Sequence, residues 1–128
     1  MTWRWIGAAV LLAIHDEQLA EHGGRRGVRD MRLLQSALAR PRNGAGYGEA
    51  GVHDLAAAYA FGIARDHPFV DGNKRVAFIA AALFLLDHGF AITATEAAIV
   101  EAMLRFPEGG ISEEPFAAWL RENSAPAD

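Results

Sequence analysis

The stretch "HPFVDGNKRVAF", His67 to Phe78, concentrates side chains that do chemistry. His67, Asp71, Asn73, Lys74 and Arg75 fall within nine positions, just ahead of the longest apolar run of the chain, the 11 residues Val76 to Leu86. An imidazole has an ordinary pKa of about 6.5 and is partly available as a base at neutral pH. A carboxylate such as Asp71 suits magnesium, a hard cation that takes one or two carboxylates plus phosphate oxygens. If the apolar run is a helix, its first N–H groups lack internal partners and sit at the positive end of the macrodipole. That is a place for an anion, phosphate above all. Gly72 lets the backbone come close, and Asn73 either donates its amide to an oxyanion or fixes the loop. Lys74 and Arg75 put full charge into a first turn where the macrodipole disfavours it unless an anion arrives.

Each residue also has a plain structural use. His67 could cap the preceding helix and Asp71 the next one. Asn73 could be a turn residue, and Lys74 and Arg75 solvated surface charge. Those uses do not explain five polar groups together at the mouth of an all-apolar helix. A phosphate-handling loop does.

The elements that must position this loop read as helices. The first is expected from about Trp5 to His22, ending at Gly23-Gly24. Asp30 is a candidate N-cap for "MRLLQSALAR", expected to stop before Pro41. "PRNGAGYGEAG", 41–51, is glycine-rich and aperiodic and reads as a loop or flap. "DLAAAYAFGIAR" places Leu55, Ala58, Tyr59, Gly62 and Ile63 at helical spacing, and Pro68 requires an end near His67. The apolar run after Gly72 is expected to be the central buried helix, closed by Gly89. "FAIT" reads as a short extended link. Thr95 is expected to cap a helix over 96–106, and Ser112 a last helix over 113–122. Fold class is therefore all-α, a single compact domain over 1–128 of about six helices with almost no sheet.

The 128 residues suffice to bury a core without a disulfide or structural metal. A 52% apolar composition fits a globule, and a net charge of -4 argues against general nucleic-acid affinity. The absence of cysteine excludes thiol catalysis and fits a reducing compartment. "MTWRWIGAAVLLAIHDEQ" superficially looks like a signal peptide, but its apolar part is short and runs directly into His15-Asp16-Glu17. A first helix is the better reading. The 11-residue apolar run is too short for a bilayer. A soluble cytoplasmic protein is expected.

"HPFVDGNKR" resembles the signature of the Fic/Doc superfamily, His-Pro-Phe-x-[Asp/Glu]-Gly-Asn-x-Arg, most closely its Doc branch, the death-on-curing toxins of toxin–antitoxin pairs. "LLAIHDEQLAEHGGRRGVRD" is similar to the first helix and glycine turn of that family, and "LLQSALARPRN" to the segment leading to its flap. The resemblance implies the helical Fic fold and transfer of a phosphate-containing group from a nucleotide to a protein hydroxyl. It implies His67 as the base, and Asp71 as the group that positions the nucleophile or binds Mg2+. Gly72, Asn73, Lys74 and Arg75 would hold the phosphates, Phe69 would anchor the loop, and 42–51 would be the flap that aligns the target.

The AMP-transferring members continue Gly-Asn-Gly-Arg-x-x-Arg. Here Lys74 replaces the second glycine and Phe78 the second arginine. Both departures match the Doc branch and imply ATP as co-substrate, with its γ-phosphate passed to a threonine of elongation factor Tu, arresting translation. No Ser or Thr is followed at the right spacing by the Glu-Gly/Asn of the family's inhibitory helix. Restraint is therefore expected from a Phd-like antitoxin whose C-terminal segment folds as a helix in an apolar groove. Trp3 and Trp5 either line that groove or pack on the core.

Other readings are AMP transfer, an HD-type metallophosphohydrolase built on His15-Asp16, His53-Asp54, Asp66-His67 or Asp87-His88, and a catalytically silent partner-binding module. The hydrolase leaves Gly72 to Arg75 unexplained. His15 is placed against the core or the loop near the site, and His22 at a helix C-terminus.

Overall fold

The computed structural model describes residues 2–46, 50–105 and 113–127. Six helices follow in order: α1 (Ala8–His22), α2 (Met31–Ala45), α3 (Val52–Asp66), α4 (Asn73–Asp87), α5 (Glu96–Leu104) and α6 (Glu113–Glu122). A clasp of β1 (Phe90–Ile92) and β2 (Ser124–Pro126) pairs antiparallel, Phe90 opposite Pro126 and Ile92 opposite Ser124. The expected all-α class is what is found, and "FAIT" supplies the first strand of the clasp.

The most enclosed helix is α3, with α2, α4 and α6 packed around it. Its sequence allows this, because Ala56, Ala57, Ala60 and Ala64 are fully buried and let the neighbouring helices come close. The apolar run forms α4, which contributes Val76, Ala77, Ala80, Ala81, Phe84 and Leu85 to the same core. Phe116 and Leu120 of α6 close it from the other side. Trp3 and Trp5 take the packing role, with rings 6.1 and 6.0 Å from that of Phe84. The leading segment is fixed where the Ile6 N–H donates to the Tyr59 hydroxyl at 2.8 Å and the Arg4 N–H to His88 Nε2 at 3.0 Å.

Caps set several boundaries. Asp30 accepts from the Arg32 N–H at 2.8 Å and Thr95 from the Ala98 N–H at 3.1 Å, as expected. The expected stop before Pro41 is wrong. α2 runs through it to Ala45 although proline removes a helical hydrogen bond, at about 3 kcal/mol in a helix interior. The proline ring is buried, and the next residue lays its Arg42 guanidinium over Trp5, 5.7 Å from the ring centre. The expected flap is correspondingly shorter, since 41–45 is helical. Its residues 47–49 lie outside the described residues, as does the expected cap Ser112. Among the described residues no helix is long and apolar enough to cross a membrane.

Candidate functional site

The signature loop joins α3 to α4. Pro68 disfavours the α region for His67, which adopts the left-handed region instead, φ 51° and ψ 58°. It is the one non-glycine residue with positive φ among the described residues. In that conformation the His67 N–H closes α3 on the Ile63 carbonyl at 3.1 Å. The strain amounts to about 1 kcal/mol or more and is held by the chain around it.

Much of that hold comes from the basic segment after α1. Arg29 Nε donates to the His67 carbonyl at 2.8 Å and its Nη2 to the Asp66 carbonyl at 2.7 Å. One guanidinium thus satisfies two carbonyls at the negative end of α3. The backbone alongside completes a bridge. The Arg29 N–H donates to the Pro68 carbonyl at 2.7 Å and the Val70 N–H to the Gly27 carbonyl at 3.0 Å. The sequence showed Arg29 only as part of a basic cluster, and nothing local marked its partner 38 positions away.

Beneath the loop Phe69 is buried. Asn73 is also buried and bonds to the loop. Its Oδ1 accepts from the Phe69 N–H and its Nδ2 donates to the Phe69 carbonyl, both at 3.0 Å.

Gly72, at φ 77°, is the N-cap of α4, and no side chain caps that end. The first internal bond is from the Val76 N–H to the Gly72 carbonyl. The Asn73, Lys74 and Arg75 N–H groups therefore open the helix without intrahelical partners. No acidic residue lies in this first turn. Among the described residues neither Lys74 nor Arg75 is in an ion pair. Asp71 is not the cap. Its carboxylate reaches back to α1's end and accepts from the Arg25 N–H at 3.1 Å and from the Gly72 N–H at 2.9 Å. Those two bonds, then the charges of Arg25 and Arg75, lower its pKa from the ordinary 3.8. Gly24 makes this approach feasible: at φ +122° a Cβ there would lie 3.0 Å from Asp71 Oδ2.

A cavity of about 490 Å³ opens here. It is lined by His67, Asp71, Gly72, Asn73, Lys74 and Arg75. Val70 and, from α5, Val100, Met103 and Leu104 complete the lining. Every expected site residue except the buried Phe69 thus faces a single cavity. The lining holds cationic groups that suit a polyanion and apolar side chains that suit an apolar group. The apolar wall from α5 was not anticipated, because nothing in "EAAIVEAML" distinguishes a pocket wall from a core face. Phe78 is buried against Trp119, ring centres 6.2 Å apart.

The His-Asp steps do not assemble. Among the described residues no three His, Asp or Glu side chains converge. His53 bonds the Ser124 hydroxyl, and His88 bonds the Phe84 carbonyl. Burial, then the charge of Arg121, lowers the pKa of His53.

A family model described as Fic/DOC family matches residues 5–85. This chain belongs to the Fic/DOC family. It is similar to "Protein kinase doc" of Escherichia phage P1, 33% identical over 87 residues that cover 67% of this chain and 69% of that protein. It is also similar to "Toxin Doc" of Mycolicibacterium smegmatis, 44% identical over 75 residues that cover 56% of this chain and 57% of that one. Both relatives belong to the Doc branch of the Fic/DOC family, as the signature implied. The family match spans α1 to α3, the whole signature loop and α4 as far as residue 85. It ends before α5, whose apolar wall is outside it.

Proposed function

We propose that this protein is a Doc-type toxin that transfers the γ-phosphate of ATP to a hydroxyl of a protein target, a threonine of elongation factor Tu, and so arrests translation. A Phd-like antitoxin would hold it in check. The observation that carries this reading is the uncapped N-terminus of α4, with Lys74 and Arg75 in its first turn, sharing one cavity with His67 and Asp71.

The chemistry follows from the donor set. The N–H groups of Asn73, Lys74 and Arg75, with the two cationic side chains, bind and neutralise the triphosphate. An imidazole at His67 takes the proton of the acceptor hydroxyl. The freed oxygen attacks the γ-phosphorus as the bond to the β-phosphate oxygen breaks, and ADP leaves with that electron pair. Such a transfer needs positioning and charge neutralisation more than covalent tools. The base and ribose would lie against Val100, Met103 and Leu104. Asp71 fits Mg2+ because it is exposed, ionised at neutral pH, and has one N–H on each oxygen, leaving lone pairs for a cation. Bound there, the ion would offset phosphate charge.

Phosphoryl rather than AMP transfer is supported by two features. Phe78 is turned into the core, so no second arginine reaches the phosphates. Lys74 lines the cavity where the AMP-transferring pattern has glycine. The phage P1 relative is itself called a protein kinase.

Incubation with a bacterial translation extract, Mg2+ and ATP labelled at either the α- or the γ-position tests the reading. Label from the γ-position alone should appear on one protein, and His67→Ala should lower its rate by about 10²–10⁴-fold. Label from the α-position would mean AMP transfer and a misread Lys74.

A further inference from the structure

We propose that His15 of α1 is a positioning residue of this site, the clamp that sets the Asp71–Gly72 peptide plane. The inference rests on the phosphoryl-transfer reading above and names a residue that acts through others.

His15 is a polar side chain only 3% exposed, buried in α1 together with Leu11. Its Nε2 lies 3.0 Å from the Asp71 carbonyl. A carbonyl oxygen only accepts, so Nε2 carries the proton and donates. Its ring stacks on Phe69, centres 3.9 Å apart and planes 11° from parallel. One imidazole therefore touches both halves of the signature loop, the buried anchor and the last peptide before the helix.

The carbonyl and N–H of a trans peptide point in opposite directions. Holding the Asp71 oxygen inward on His15 turns the Gly72 N–H outward, where Asp71 Oδ1 takes it at 2.9 Å. Gly72 is in the left-handed region and has no Cβ to resist rotation of that peptide. Without an inward donor the plane is free to turn. The carboxylate would then lose one of its two tethers, and the amides that open α4 would shift with it. An apolar side chain of the same shape would fill the space and keep the stack, but would not fix the plane.

His15→Phe and His15→Gln separate these roles. Phe retains the ring and loses the donor, whereas Gln places an N–H near the position of Nε2. In the folded H15F protein, kcat for γ-phosphoryl transfer should fall by about a hundredfold, as for a misplaced catalytic constellation, with KM for ATP little changed. The Gly72 amide resonance should move. H15Q should recover kcat to within about tenfold of the parent protein, on the scale of one hydrogen bond, and return the resonance. An H15F protein with parental kcat, or an unmoved Gly72 resonance, would overturn the proposal. So would H15Q as slow as H15F. Where H15F does not fold, H15Q decides alone: a near-parental rate and resonance support the clamp, and a hundredfold loss refutes it. Failure of the phosphotransfer reading looks different. The parent protein would then transfer nothing, while the Gly72 resonance would still respond to His15.

Discussion

His67 sits in a backbone conformation that costs free energy and would relax in an isolated peptide. Strain retained at a candidate base is consistent with a side chain held to one direction. Its neighbour Asp71 is fastened differently, by two backbone N–H groups on an exposed carboxylate. Its depressed pKa gives this tether a definite pH range. The contribution to stability is complete above the ordinary 3.8 and is lost as pH falls through the lower folded-state value. Asp71→Asn should therefore be less stable than the parent protein at neutral pH and should converge with it in strong acid. Denaturant midpoints from neutral pH into strong acid check this, and a difference that stays undiminished in strong acid would refute it. Residue identities at this scale were legible because the motif is contiguous. Which of two roles each residue takes was not legible. Asn73 reads equally well as phosphate ligand or loop fixer, and its paired bonds with Phe69 are seen only in the fold.

At the scale of elements, the loop takes its shape from a segment distant in sequence. Arg29 and the backbone of 27–30 grip 66–70, although 36 or more positions separate them. Arg29→Ala should lower stability by about 1 kcal/mol, the small figure reflecting exposed hydrogen bonds. It should slow transfer more than that loss would suggest, because His67 loses the donor on its carbonyl. Urea midpoints and turnover measured together separate the two effects. Gly24→Ala should act through the other residue of the loop, since its Cβ would press on Asp71 Oδ2 and its φ suits glycine. A loss of about 1 kcal/mol or more with reduced activity is expected. Helix starts were legible wherever a side chain makes the cap, as at Asp30 and Thr95. The end of α2 was not. Local rules for Pro41 gave the wrong stop, because burial of its ring and the contact of Arg42 with Trp5 are tertiary effects.

Across the molecule, a core built around α3 and α4 fixes the junction between those same two helices, which is where the site lies. The hydroxyl of Tyr59 is a polar group within that core and accepts the Ile6 N–H. Burial raises its pKa, so it remains protonated at working pH. Tyr59→Phe should leave that N–H unsatisfied and cost about 1–3 kcal/mol. Faster exchange of the Ile6 amide is the accompanying sign. The apolar periodicity of α3 and α4 made this architecture legible. The β1–β2 clasp and the wall from α5 were not, because three-residue strands carry too little pattern and an apolar face does not say whether it meets a core or a ligand.

The central claim is that the open amino end of α4 holds the phosphates of a nucleotide. Titrating the 15N-labelled protein with Mg2+ and a non-hydrolysable ATP analogue tests it most directly. The amides of Gly72, Asn73, Lys74 and Arg75 should shift together and saturate, and replacing Lys74 and Arg75 by Met should abolish the response. Saturable binding that leaves those four amides unmoved, or that survives the double replacement intact, would contradict it.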